Sequence, residues 1–234
     1  MTLHLAKLVL LLVAVSTATT VGYAQKPRNS LVLLLIGPPG VGKSLHAKSL
    51  ARKYKVPAIS MQDVLRAELG KKSGLVSKAL EPMITSGELI SAPEADALMT
   101  ARLRRPDAGK GFILDGYPTT PAQAESLRRF LTENKYPSPI VILLDAPDEV
   151  LKTRMEMRNR ADDTPETIVR RIREYRELGR LAADWYGADH LLKVDAAAPA
   201  PVVTARVVEQ IEEADTTTGF KVRSPAAATA PAKP

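Results

Sequence analysis

Apolar residues fall along this chain in short unbroken runs separated by longer amphipathic stretches. Leu31 to Ile36 are all apolar, a run too short for a useful helix and fit for a strand buried on both faces. Gly111 to Asp115, closed by Gly116, and Ile140 to Leu144, closed by Asp145, repeat that form. Val56 to Ile59 and His190 to Val194 are shorter candidates, so about five strands are expected. Helical spacing fills the intervals at Lys43 to Lys53, Met61 to Leu69, Gly74 to Thr85, Pro93 to Leu103 and Thr120 to Leu131. Asp148 to Met157 starts with Asp148 as its expected N-cap, Thr164-Pro165-Glu166 opens a long helix through Tyr186, and Val202 to Glu213 forms the last. Strands alternating with helices, several of them apolar end to end, specify an α/β fold with a parallel sheet covered on both faces. Such a sheet holds its site at the carboxyl ends of its strands, where Gly37, Asp115 and Asp145 lie.

The two ends of the chain read differently. Leu8 to Val15 is an uninterrupted apolar run after Lys7, and Gly22-Tyr23-Ala24 offers small residues for a signal peptidase. Residues 1–24 are expected to be a secretory signal cleaved after Ala24, the run being too short for a stable membrane span. The protein is then exported, periplasmic or secreted; a misassigned start codon would make it cytoplasmic. Residues 25–30 form a polar linker, 31–213 the domain, and 214–234 an Ala/Pro-rich tail expected to be disordered.

Composition narrows the partners. The 234 residues, 45% of them hydrophobic, suffice for one domain with a sizeable core and would be cramped for two. The formal charge of +7 could suggest nucleic acid, but aromatics make up 4% and offer no stacking platform. The arginines gather instead at Arg102 to Arg105 and Arg154 to Arg180, which suits a polyphosphate substrate and no nucleic acid. No cysteine is present, excluding disulfides, zinc–thiolate sites and thiol catalysis.

The chemistry starts just after the first strand. Gly37, Gly42, Lys43 and Ser44 match G-x-x-x-x-G-K-S/T without a mismatch, with Gly40 a further glycine inside the loop. Glycines let backbone N–H groups curl around a phosphate, the helix start adds partial positive charge, and the lysine reaches the outer phosphates. A strand before and a helix after supply the context that a phosphate-binding loop of the P-loop NTPase type requires.

Three further segments follow in order: AISMQDVLR (Ala58 to Arg66), GFILDGYPTTPAQA (Gly111 to Ala124), and the set Arg154, Arg158, Arg160, Asp162-Asp163, Glu166-Thr167-Ile168 and Arg171, ending in Trp185-Tyr186. With these, the chain from about Leu31 to Gln210 resembles the adenylate kinase family of nucleoside monophosphate kinases. The resemblance implies a parallel sheet with a monophosphate-binding helical insert and a lid. Only Asn159 separates Arg158 from Arg160, so the lid is of the short form. It also implies transfer of the γ-phosphoryl of ATP to AMP, or a related monophosphate, with Mg2+, by a protein expected to be monomeric.

Residue by residue, Lys43, Arg154, Arg158, Arg160 and Arg171 match the family's phosphate-binding cations, and Ser44 and Asp115 its magnesium site. Arg66 matches the arginine on the monophosphate, and Gln123 the glutamine at the adenine edge. Tyr175, Trp185 and Tyr186 read as core, and His46 as a surface or structural histidine without a nameable partner.

Three positions depart from the family pattern. Thr119 stands where the family carries an arginine on the monophosphate, and Met61-Gln62 replace Thr-Gly in the acceptor segment. Ser44-Leu45 replace Gly-Thr after the P-loop lysine. The donor side is therefore better matched than the acceptor side, and a protein of this fold that binds nucleotide with little turnover is the alternative.

Overall fold

The computed structural model describes residues 30–70, 92–158, 160, 162–179, 184–187 and 191–216. The expected signal, residues 25–29 of the linker, most of the tail and the helix expected at Gly74 to Thr85 lie outside them. In chain order come β1 (Leu31–Ile36), α1 (Lys43–Tyr54), β2 (Ala58–Ser60), α2 (Met61–Leu69), α3 (Ala92–Leu103), β3 (Gly111–Asp115) and α4 (Pro121–Glu133). They are followed by β4 (Ile140–Asp145), α5 (Asp148–Arg158), α6 (Pro165–Glu174), β5 (Leu191–Asp195) and α7 (Ala200–Thr216).

The five strands form one sheet in the order β2-β3-β1-β4-β5, every pair parallel. β1 is central, and its side chains alternate between two cores. Leu33 and Leu35 point with Ile113, Ile142 and Leu144 toward α1, α5, α6 and α7. Val32, Leu34 and Ile36 point with Phe112, Leu114 and Val141 toward α3 and α4. Register enforces this, since Leu33 pairs with Ile113 and Leu34 with Leu114, and paired residues share a face. Leu33 and Leu34 are completely buried, so truncating either to Ala costs about 2–5 kcal/mol.

Helix starts follow local chemistry. Ser60, Thr120 and Thr164 accept hydrogen bonds from the backbone N–H of Asp63, Gln123 and Thr167, at 3.0, 3.2 and 3.2 Å, satisfying donors the first turn leaves open. Pro121 and Pro165 begin α4 and α6, where a missing N–H costs nothing.

Three expectations shift. Asp148 is the first residue of α5 rather than its cap, and its carboxylate is engaged elsewhere by Arg176. The long helix expected through Tyr186 ends at Glu174 and passes into a π turn at Tyr175–Gly179. α7 runs to Thr216, three residues into the stretch read as tail. Trp185 and Tyr186 pack on the α3–α4 core, their rings edge to face at 5.0 Å between centroids.

Candidate active site

The loop between β1 and α1 is shaped by glycines at positive φ. Gly40 has φ +82°, and a Cβ there would come within 2.8 Å of the Leu151 carbonyl oxygen; Gly42 has φ +98° and would meet His46 Nε2 at 3.2 Å. Side chains at these positions would strain the backbone and push the loop off α5 and α1. Gly42 is the N-cap of α1 with no side-chain cap, and the first turn holds no acidic residue. The helix start thus leaves its amide dipoles free to face an anion.

Lys43 crosses back over this loop. Its Nζ donates to the carbonyl oxygens of Gly37 at 2.7 Å and Pro38 at 2.9 Å. Burial lowers its pKa to about 8 against the partial support of Asp115, and the charge of Arg158 lowers it further. Ser44 Oγ donates to Asp115 Oδ2 at 2.5 Å, joining the loop's helix to the end of β3. Asp115 is buried at 6% exposure. The hydroxyl and carboxylate are hard oxygen donors of the kind magnesium takes alongside phosphates and water. No group of three or more His, Cys, Asp or Glu gathers for a metal among the described residues.

The basic residues of α5 and α6 form two groups. Arg158 makes a two-point contact with Asp163, at 2.7 and 2.8 Å, while Arg171 reaches Asp162 at 2.6 Å and Asp163 at 3.3 Å. Arg158's hydrogen bonds hold the Asp163 carboxyl below the usual range, and Arg171's do the same for Asp162. Arg154 points away from this cluster: its guanidinium donates to the carbonyls of Ala196, Ala197 and Ala198 at 2.7, 3.0 and 3.1 Å, fastening the loop after β5. Arg160 is exposed, and its side chain makes no hydrogen bond or ion pair among the described residues.

On the other side, Arg66 pairs with Asp63 one turn earlier at 2.8 Å, well exposed on α2. Gln123, in the first turn of α4, is only 5% exposed; its Oε1 accepts from Thr119 N at 2.7 Å and Thr119 Oγ1 at 2.9 Å. Tyr117 Oη donates to Asp96 at 2.7 Å, linking the segment after β3 to α3. Burial, then Asp96, pushes the Tyr117 hydroxyl's pKa up.

The chain carries the marks of a known family. The family model for adenylate kinase matches residues 35–191. The chain belongs to the adenylate kinase family. It is 37% identical over 186 residues to the adenylate kinase of Sinorhizobium medicae, covering 75% of this chain and 96% of the relative. It is 36% identical to those of Rhodococcus erythropolis, over 75% of this chain and 96% of the relative, and Stenotrophomonas maltophilia, over 77% and 98%. Family members are phosphotransferases acting on nucleoside monophosphates, and the loop and Asp115 lie at the carboxyl ends of β1 and β3.

Two features escape the sequence pattern. Arg176 donates to Asp145 at 2.8 Å, to Asp148 at 2.8 and 3.0 Å and to the Ala146 carbonyl at 2.8 Å, tying the π turn to the start of α5. His46 is buried at 2% exposure and contacts Thr204 Oγ1 at 2.9 Å, so it is structural and has a partner. Neither contact has a local signal, because each joins residues at least 28 positions apart.

Proposed function

We propose that this adenylate kinase family member is an ATP-dependent nucleoside monophosphate kinase, with AMP or a related monophosphate as acceptor. The observation that carries this reading is the Ser44–Asp115 contact of 2.5 Å beside Lys43, a hard-oxygen pair next to a phosphate-binding loop. Transfer breaks the bond between the ATP γ-phosphorus and its β-bridging oxygen and forms one to a phosphate oxygen of the acceptor, giving ADP and a nucleoside diphosphate. The protein needs to hold two nucleotides in line and offset charge.

In this reading Gly37, Gly40 and Gly42 cradle the donor phosphates, and Lys43 exchanges its two carbonyl partners for phosphate oxygens. Ser44 and Asp115 would hold Mg2+. Held there, the metal would supply positive charge to offset that of the donor phosphates. Arg158, Arg160 and Arg171 bind phosphate through their planar forks, Arg158 and Arg171 being pre-aimed by Asp162 and Asp163, and Arg154 joins them only by giving up its bonds to the Ala196, Ala197 and Ala198 carbonyls. Arg66 takes the acceptor phosphate and Gln123 the base edge.

Thr119 brings no charge where the family has arginine, and this favours a second reading: nucleotide binding with slow turnover. ADP formation by the full chain from ATP, magnesium and each nucleoside monophosphate separates the two. Transfer lost in Lys43→Ala supports the kinase; ATP binding without transfer to any monophosphate supports the second. Export is supported by the Leu8 to Val15 run before Gly22-Tyr23-Ala24 and is tested by whether the protein isolated from its host begins at Gln25.

A further inference from the structure

The end of the sheet opposite the phosphate loop carries a different kind of surface. Neighbouring strands all run parallel, so their amino ends lie together, with Leu31 beside Gly111. The segments entering β2, β3 and β4 bring Lys55, Arg104, Arg105, Lys110 and Lys135 to this end, all of them exposed and none with a side-chain hydrogen bond or ion pair among the described residues. Tyr136 Oη donates to the Ala108 carbonyl at 3.1 Å, which holds the turn bearing Lys135 against the turn bearing Lys110. Asp107 is taken up by Arg102 at 2.7 and 3.0 Å, so Glu133 is the unpaired acid of these segments. Acidic charge gathers instead at the end of α7, where Glu212 meets Lys53 at 3.3 Å. A cation just past a helix answers the negative end of its dipole, which accounts for one residue each after α1, α3 and α4; Arg105 and Lys110 are additional. Lys55 and Lys135 also lie at φ 55° and 58°, where glycine or asparagine is the usual choice, so charge is kept there against the preference of the backbone.

We propose that this basic end of the sheet is a docking surface for an anionic lipid bilayer. Unpaired cations alone suit any polyanion, and the chain that leads into them selects lipid. β1 starts at this end, and ahead of it the sequence runs from the apolar stretch Leu8 to Val15 through Lys26 and Arg28. An apolar segment combined with a basic surface holds a protein to a membrane where either alone is weak, and each Lys or Arg at an anionic leaflet strengthens binding about fivefold. Gln25 to Ser30 can span about 20 Å at most, so a chain whose first residues enter a bilayer keeps this end of the sheet against it. After cleavage at Ala24, Lys26 and Arg28 remain and the surface acts by charge alone. The phosphate loop and Asp115, at the other end of the strands, face away from the lipid and stay open to nucleotides.

The test is sedimentation of the full chain with vesicles of phosphatidylcholine alone and of an equal mixture of phosphatidylcholine and phosphatidylglycerol. Neutral vesicles read what the apolar run contributes, and the difference between the two reads the basic surface. Binding to the mixture is expected to be about 100-fold tighter, and the advantage should disappear at about 1 M salt, where screening acts within about 3 Å. Lys110→Glu combined with Lys135→Glu should weaken binding to the mixture by about 25-fold or more, with binding to neutral vesicles and ADP formation unchanged. Lys48→Glu combined with Lys193→Glu makes the same change of charge at exposed positions away from this end and should keep the advantage. A wild-type chain that binds both vesicles equally overturns the proposal whether or not the variants fold. Equal losses in the two double variants, each shown folded by thermal melting, would reduce the effect to net charge and overturn it as well. Binding to duplex DNA as tight as to the mixture would make the surface a general polyanion contact and overturn its assignment to lipid.

Discussion

His46 Nδ1 lies 2.9 Å from Thr204 Oγ1, joining the helix that follows the phosphate loop to the last helix of the fold. Thr204 in turn donates its hydroxyl hydrogen to the Ala200 carbonyl at 2.9 Å. Its oxygen is thus left to accept, and the His46 proton sits on Nδ1. Burial, aided by the charge of Arg154, lowers the pKa of His46, so the ring is neutral in the folded protein.

His46→Ala is expected to cost about 1–3 kcal/mol, since it strands the Thr204 oxygen and opens space behind Gly42. Urea unfolding at neutral pH measures this. The wild-type chain should also lose stability as pH falls below 6.5, the ordinary value for histidine: the unfolded histidine binds a proton that the folded one resists. That His46-dependent part of the acid loss should vanish in the variant.

Lys43 titrates in the opposite part of the scale. Its unfolded value is 10.5 and its folded value about 8, so between these the unfolded state holds more protons. The penalty for burying the charge is therefore present below pH 8, and its contribution to stability improves as pH rises toward 10.5. Phosphate oxygens next to the ammonium favour the charged form. ATP binding above pH 8 should accordingly take up a proton, read by calorimetry in two buffers of different ionisation enthalpy. Lys43→Ala should abolish both the uptake and the phosphoryl transfer.

Ser44→Ala and Asp115→Asn probe the oxygen pair. Each should reduce kcat by about 10- to 100-fold and raise the magnesium concentration needed for half-maximal rate. An unchanged magnesium dependence in both variants would remove the pair from the metal site.

Thr119→Arg restores a cation to the acceptor side. Transferable arginines contribute about 10³ to 10⁵ in rate, and the variant should gain toward the lower end in monophosphate phosphorylation. No gain, with folding verified by thermal melting, would place the difference from the family in Met61 and Gln62 instead.

The sequence was most informative where cause and effect are close together. The apolar run at Leu31 to Ile36, the glycines before Lys43, the strand ending at Asp115 and the helix starts near Thr120 and Thr164 each depend on a few neighbouring residues. α6 ends earlier than its pattern predicts: Ile168, Ile172 and Tyr175 continue helical spacing, whereas the turn is held by Arg176 reaching Asp145 and Asp148, 28 to 31 residues earlier. Asp148 looked like a cap for the same reason. Arg154 carried a motif that gave no hint of its bonds to carbonyls 42 to 44 residues away.

β1 is bordered on both edges, by β3 and β4, and alternate residues belong to cores on opposite sides of the sheet. It behaves as the spine of the molecule. Opening it would mean breaking two ladders and disturbing both hydrophobic layers at once, so its amides should be among the last to exchange with solvent. The loop from Gly37 onward is rooted in that spine. Whatever motion accompanies nucleotide entry is left to the outer helices, while the phosphate groups meet a seat that stays put.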